Sequence, residues 1–196
     1  MKEIIKRLEA KWNAFEKDKH LLKQCDISGG RNETYLNVLF APVSHNELGT
    51  IRDAFSCELP HSLLELYKKY NGIMLFSESL RIYGVETNFD ALYDTYDIVA
   101  QNEDDNIQGY GEQFSSFVVF GYYSSCLFCF DKTNLDFLYV FDTKQEKIVY
   151  KFKNLVELLT HYVDYLINEY DENGKKIHLD KSLEGLPIAN VSLEFI

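Results

Sequence analysis

The chain has 196 residues, 46% of them hydrophobic and 15% aromatic, which is enough to bury a core as one domain with decorations and too much for disorder over most of its length. Its formal net charge of −11 argues against nucleic acid and anionic membranes as partners, because phosphate binding requires a cationic surface and the 20 Lys and Arg residues form no cluster beyond scattered pairs. No apolar run approaches the roughly 20 residues of a spanning helix, and the first six residues lack the apolar stretch of a signal peptide, so the cytoplasm is the expected compartment and the four cysteines are expected as reduced thiols.

Ile4, Ile5, Leu8, Trp12 and Phe15 recur at helical spacing and predict an amphipathic helix from Lys2 to Lys17. Ser28-Gly29-Gly30-Arg31-Asn32 is a turn signal, followed by a strand from Thr34 to Phe40 that Pro42 terminates. Ser44 and Glu47 have the spacing of a capping box at the start of the next helix, whose buried stripe is Leu48, Ile51 and Phe55. Pro60, tolerated in a first helical turn, opens another helix with Leu63, Leu66, Tyr67 and Tyr70 on one face. Asn71-Gly72 ends it, since glycine accepts the left-handed conformation that satisfies the last carbonyls, and Ile73 to Phe76 should leave as a strand.

The run from Leu75 to Val85 reads as strand, Asp90 to Asn102 as a helix with Leu92, Tyr96 and Val99 inward, and Glu103 to Glu112 as a solvated loop. From Phe117 the chain is densely apolar, and the turn chemistry of Asp131 to Asn134 and Asp142 to Gln145 divides it into an antiparallel meander. Asn154 caps a closing helix with Leu155, Leu158, Leu159, Tyr162, Leu166 and Ile167 as its stripe. The fold class is therefore α+β, a single domain with a mainly antiparallel sheet packed against several helices. The expected organisation is an extension over residues 1–43, a core over 44–170 and a C-terminal extension over 171–196.

The chemistry-bearing candidates weigh as follows. Cys126 and Cys129 have the spacing of a redox dithiol but lie in a strand pattern, where residues three apart face opposite ways, so core packing is the expectation. The five histidines show no paired spacing, and no metal or other cofactor is expected. Asp97 with Glu103 to Asp105 offers two carboxylates without a cationic partner nearby in sequence, and Gly109-Tyr110-Gly111 is a phosphate loop only superficially because acids surround it. No Ser or Cys nucleophile motif is present, so an enzyme is not expected.

The asymmetric feature is the charge itself. Ile82 to Asp131 contains no Lys, Arg or His, yet carries Glu86, Asp90, Asp94, Asp97, Glu103, Asp104, Asp105, Glu112 and Asp131. Tyr93, Tyr96, Tyr110, Tyr122 and Tyr123 lie among these acids. Rings that give contact area at small entropic cost, beside charge that speeds encounter, suit an interface with a basic protein partner. Tyr93, Asp94, Asp97, Glu103, Asp104, Asp105, Tyr110, Tyr122 and Tyr123 are the candidate partner-binding residues.

The helix from Leu-Pro (59–60) to Asn-Gly (71–72), the strand after it, the meander from Leu127 to Phe152 and the closing helix together resemble the SUKH superfamily, over roughly two thirds of the chain. After Phe120 this chain has a single glycine, Gly121-Tyr122-Tyr123-Ser124-Ser125, where many relatives place two. The resemblance implies an immunity-type protein that neutralises a cognate toxin by occlusion, without turnover. Its fungal branch implies, as the alternative, a regulatory scaffold without a toxin partner.

Overall fold

The computed structural model describes residues 1–12, 15–16, 21–26, 33–40, 42–76, 79–85, 97–104, 107–172, 174 and 176–177, with side chains unspecified at 15–16, 21–26, 33–35 and 103–104. Among the described residues, five α-helices accompany one antiparallel sheet of nine strands, an α+β fold in which every strand lies beside its neighbours in sequence order. The helices are α1 (Lys2–Trp12), α2 (His45–Phe55), α3 (His61–Tyr67), α4 (Ile98–Asp104) and α5 (Leu155–Leu166). The strands are β1 (Phe15–Glu16), β2 (Leu21–Asp26), β3 (Glu33–Leu39), β4 (Ile73–Leu75), β5 (Leu80–Ile82), β6 (Phe117–Tyr123), β7 (Cys126–Asp131), β8 (Asn134–Asp142) and β9 (Lys147–Phe152).

Local signals placed the helix starts. Ser44 and Glu47 form both halves of the capping box, and Asn154 accepts from the Glu157 amide at 3.0 Å. Pro60 stands at the N-cap of α3, Leu63, Leu66 and Tyr67 are buried, and Gly72 takes φ 81 after the helix. Ser62 then links two helices, its Oγ accepting from the Leu155 amide at 3.0 Å.

Several expectations fail, and α3 itself ends at Tyr67, short of Tyr70. Helix α1 ends at Trp12, where the indole donates to the Asp171 carbonyl at 2.8 Å and packs edge-on against Phe76; Phe15 and Glu16 instead pair with Leu22 and Leu21. The run from Leu75 to Val85 is a hairpin, because Phe76 turns the chain with φ 55. Such a φ strains a bulky residue, and the core over-determines it: Asn37 accepts from the Phe76 amide at 3.0 Å, Tyr170 donates to its carbonyl at 2.9 Å, and the Trp12 and Tyr170 rings pack on its own. Helix α4 starts at Ile98, since the Asp97 carboxylate accepts from the amides of Val99 and Ala100; Leu92 and Tyr96 lie outside the described residues. The expected loop up to Glu112 includes the end of α4 and a short 3-10 turn over Ile107–Tyr110, with a second at Glu112–Phe114, because Ile107 and Phe114 are buried. The turn at residues 28–32 also lies outside the described residues, although Asp26 and Glu33 pair on either side of it.

Gly121 permits the centre of the sheet. The β6–β7 ladder is bulged between Val119 and Gly121, and on the other side of β6 a Cβ on Gly121 would come within 2.3 Å of the Arg81 carbonyl oxygen of β5. On the inner face Tyr123, Phe128 and the α5 residue Tyr162 stack together, with Phe120 and Phe130 beside them. On the outer face Phe141 receives Tyr110 and Phe114 from the 3-10 turns. Helix α5 stops at Leu166, with Ile167 as its C-cap, and Lys11 donates to the Ile167 carbonyl.

Candidate partner-binding surface

The acidic run is held at its base by neutral groups. Strand β5 ends at Ile82, and the next residues are fixed by α3 and the turn after it: Tyr67 donates its hydroxyl proton to the Tyr83 carbonyl at 2.9 Å. The buried Asn71 side chain then imitates a strand partner. Its Nδ2 donates to the Val85 carbonyl at 2.7 Å and its Oδ1 accepts from the Val85 amide at 2.6 Å. The Asn-Gly pair in the turn after α3 thus also positions the point where the acids begin.

The chain comes back beside its own exit. Gly84 and Asp97 form a parallel bridge, and the Ile98 amide donates to the Gly84 carbonyl at 2.8 Å. Helix α4 then docks on the edge of β6 that β5 leaves uncovered. Asn102 takes the missing ladder position, donating to the Val119 carbonyl at 2.6 Å and accepting from the Val119 amide at 2.8 Å. Ile98, fully buried, anchors the helix beneath.

The structure divides the sequence candidates. Asp97 sits at the head of α4 as its cap, and positions 103 and 104 form its last turn. Acids there oppose the helix dipole, which favours cations at a C-terminus, so local helix stability does not account for them. Tyr110 is 38% exposed and packs on Phe141 at a centroid distance of 5.0 Å. Tyr122 is half-buried against Tyr83 on the same outer face, because it pairs with Leu127 and Leu127 with Phe141. Tyr123 does not belong with them. It is buried on the inner face against Tyr162, as strand alternation requires of two consecutive residues. Tyr93, Asp94 and Asp105 lie outside the described residues.

Two features escaped the sequence reading. The first is the pair of amide clamps, Asn71 and Asn102, whose partners are remote in sequence. The second is a half-buried row on the outer face, in which Phe117 meets Tyr139 edge-on and the exposed Lys151 ammonium lies 3.7 Å from the Phe137 ring centroid. The alternation of Leu135, Phe137, Tyr139 and Phe141 along β8 was its signal.

The two β7 thiols are packed rather than reactive. Cys126 and Cys129 are buried in β7; burial pushes the Cys126 thiol up to about 11 and raises that of Cys129 as well, the opposite of what a dithiol nucleophile needs. Burial likewise raises Tyr67, Tyr123 and Tyr162, so these phenols stay protonated. No group of His, Cys, Asp and Glu able to hold a metal ion occurs among the described residues. No described helix is long and apolar enough to cross a membrane.

Comparison with known proteins agrees with this architecture. No curated protein sequence matches the chain. The family described as SMI1 / KNR4 (SUKH-1) matches residues 42–189, which run from the capping box of α2 through the meander and α5. The chain therefore belongs to the SMI1 / KNR4 family (SUKH-1), within the SUKH superfamily, whose members are generally non-enzymatic immunity or regulatory proteins.

Proposed function

We propose that this chain is an immunity-type protein that binds and neutralises a cognate toxin in the cytoplasm through the acidic layer carried by α4 and the 3-10 turns. The observation that carries the reading is the anchoring of a cation-free acidic run at both ends, Val85 on Asn71 and Ile98 on Gly84, beside the exposed Tyr110. A rigid base means that little ordering entropy is lost when a partner docks. A nuclease is the toxin class that fits: its substrate groove is basic because it holds phosphates, so an acidic inhibitor occupies it as an electrostatic mimic and associates fast. Inhibition by occlusion needs no turnover. Family membership also accommodates a regulatory scaffold bound to an endogenous partner.

The test is growth rescue on co-expression with the C-terminal domain of a large secreted protein encoded next to this gene. Rescue from a demonstrably lethal domain supports immunity, and failure moves the reading to the scaffold. In the rescued pair, replacing Glu103, Asp104 and Asp105 together by Lys should slow association about tenfold or more at low salt and flatten its salt dependence. Unchanged kinetics would remove these acids from the interface.

A further inference from the structure

Helix α2 carries a glycine in its middle that no contact within the described molecule requires. Gly49 has ordinary helical geometry, and a Cβ built on it would meet no atom within 4 Å. Glycine inside a helix lowers stability relative to alanine, because it gives up more backbone freedom on folding. Gly121 is needed for close strand approach and Gly72 for its positive φ; neither reason applies to Gly49. What distinguishes it is its place, on the wall of a groove of about 240 Å³ between α2 and α3. Leu48, Leu59 and Leu64 supply the apolar lining, and Arg52 and Lys68 the cations.

Lys68 is held by Glu65 of the preceding turn at 2.6 Å. Arg52 is loosely engaged, reaching Glu58 at 3.6 Å and Asp53 at 3.9 Å with more than half of each side chain exposed. Exposed pairs of this kind contribute little and exchange readily for a better-oriented partner. In a chain of net charge −11 the groove lining holds Arg52 and Lys68 beside one acid, Glu58, with Asp53 and Glu65 paired to the same two cations from outside it.

We propose that this groove docks a short acidic segment of a partner protein, with its main chain against Gly49, an apolar side chain against Leu59 and Leu64, and a carboxylate on the Arg52 fork. The missing Cβ lets a backbone approach, and the planar guanidinium matches a carboxylate in two parallel hydrogen bonds. A space of this size takes one or two side chains; a second copy of the chain would need roughly 1,200 Å² of buried surface to hold. The groove takes acid where the α4 layer takes base, so the proposal stands apart from the toxin reading.

The experiment titrates the ¹⁵N-labelled full chain with two eight-residue probes, one alternating Glu and Leu and the other alternating Lys and Leu. The Glu probe should shift the amides of Gly49, Arg52, Leu64 and Lys68 saturably, the Lys probe should not, and Arg52→Glu should weaken the Glu probe about tenfold. Gly49→Ala should raise Tm by about 3 °C, the mark of a glycine kept for something other than folding. Gly49→Leu should stay folded and lose Glu-probe binding about tenfold or more by filling the approach. Equal binding by Gly49→Leu, shifts that map to α4 and Tyr110, no saturable binding, or a concentration-dependent dimer seated on these residues would each overturn the proposal. None of these readouts involves a toxin domain, so they are independent of growth rescue.

Discussion

Replacing Asn71 by Ala removes one side chain and orphans two backbone groups. Asn71 is 2% exposed and Val85 is 6% exposed, so water cannot take over the bonds at 2.7 and 2.6 Å. A buried polar group left without its partner costs about 1–3 kcal/mol, which for the Val85 N–H and C=O together sums to about 2–6 kcal/mol; partial relaxation brings the expectation to about 3 kcal/mol. Against a total stability of about 5–15 kcal/mol this is a large share, and it corresponds to a fall in Tm of about 6–12 °C for a chain of this size. Urea unfolding should show a lowered midpoint at unchanged slope, and native-state hydrogen exchange should show the Val85 and Ile98 amides opening at much lower cost than amides in β7 and β8. A stability loss below about 0.5 kcal/mol with Val85 protection retained would refute the reasoning, since the clamp would then carry neither the fold nor the base of the acidic run.

The sheet centre offers a steric counterpart: Gly121→Ala sets a Cβ 2.3 Å from the Arg81 carbonyl, a backbone atom that cannot swing away, so β5 and β6 must part at a cost of about 3 kcal/mol, and an unchanged urea midpoint would disprove the close approach. His161 packs among Tyr150, Phe152 and Tyr162, and burial holds its pKa below the usual 6.5 despite the opposing pull of Asp164. The unfolded chain therefore binds this proton more readily than the folded one, so His161's contribution is intact above pH 6.5 and is lost as pH falls through the lower folded value. The urea midpoint of His161→Phe should fall less steeply than that of the parent below pH 6.5, and parallel curves would exclude the histidine. At pH 8 a thiol raised to about 11 should react with a disulfide reagent on the order of a hundredfold more slowly than a free cysteine; prompt labelling of Cys126 in the native chain would contradict its burial in β7.

What could be read from the chain was what neighbouring residues decide among themselves. A capping box, an Asn cap and a Pro opening act within four residues and stand where the sequence places them, whereas α3 stops at Tyr67, ahead of the expected Asn71-Gly72 end. The turn at Phe76 could not be read this way. Its backbone conformation is unfavourable locally and is held by Asn37, Trp12 and Tyr170, which are assembled from opposite ends of the chain. The start of α4 is a local signal that apolar spacing hides: the Asp97 carboxylate caps the helix by accepting from the amides of Val99 and Ala100. Tyr122 and Tyr123 were grouped by composition, although the period of a strand already separates neighbours. The same period, applied to β8, would have found the row that ends on Phe141 and supports Tyr110.

The manner of support bears on what the acids are for. Here the groups that fix the run's base are amides and a phenol, Asn71, Asn102 and Tyr67, together with the buried Ile98, Ile107 and Phe114. These contacts are insensitive to the sign of the neighbouring charge. The field of the layer is then set by sequence and remains adjustable at the acids other than Asp97, whose carboxylate caps α4. A surface whose charge can change while its scaffold stays constant suits recognition of a changing partner, because electrostatic complementarity governs encounter rate and partner choice more than it governs folding.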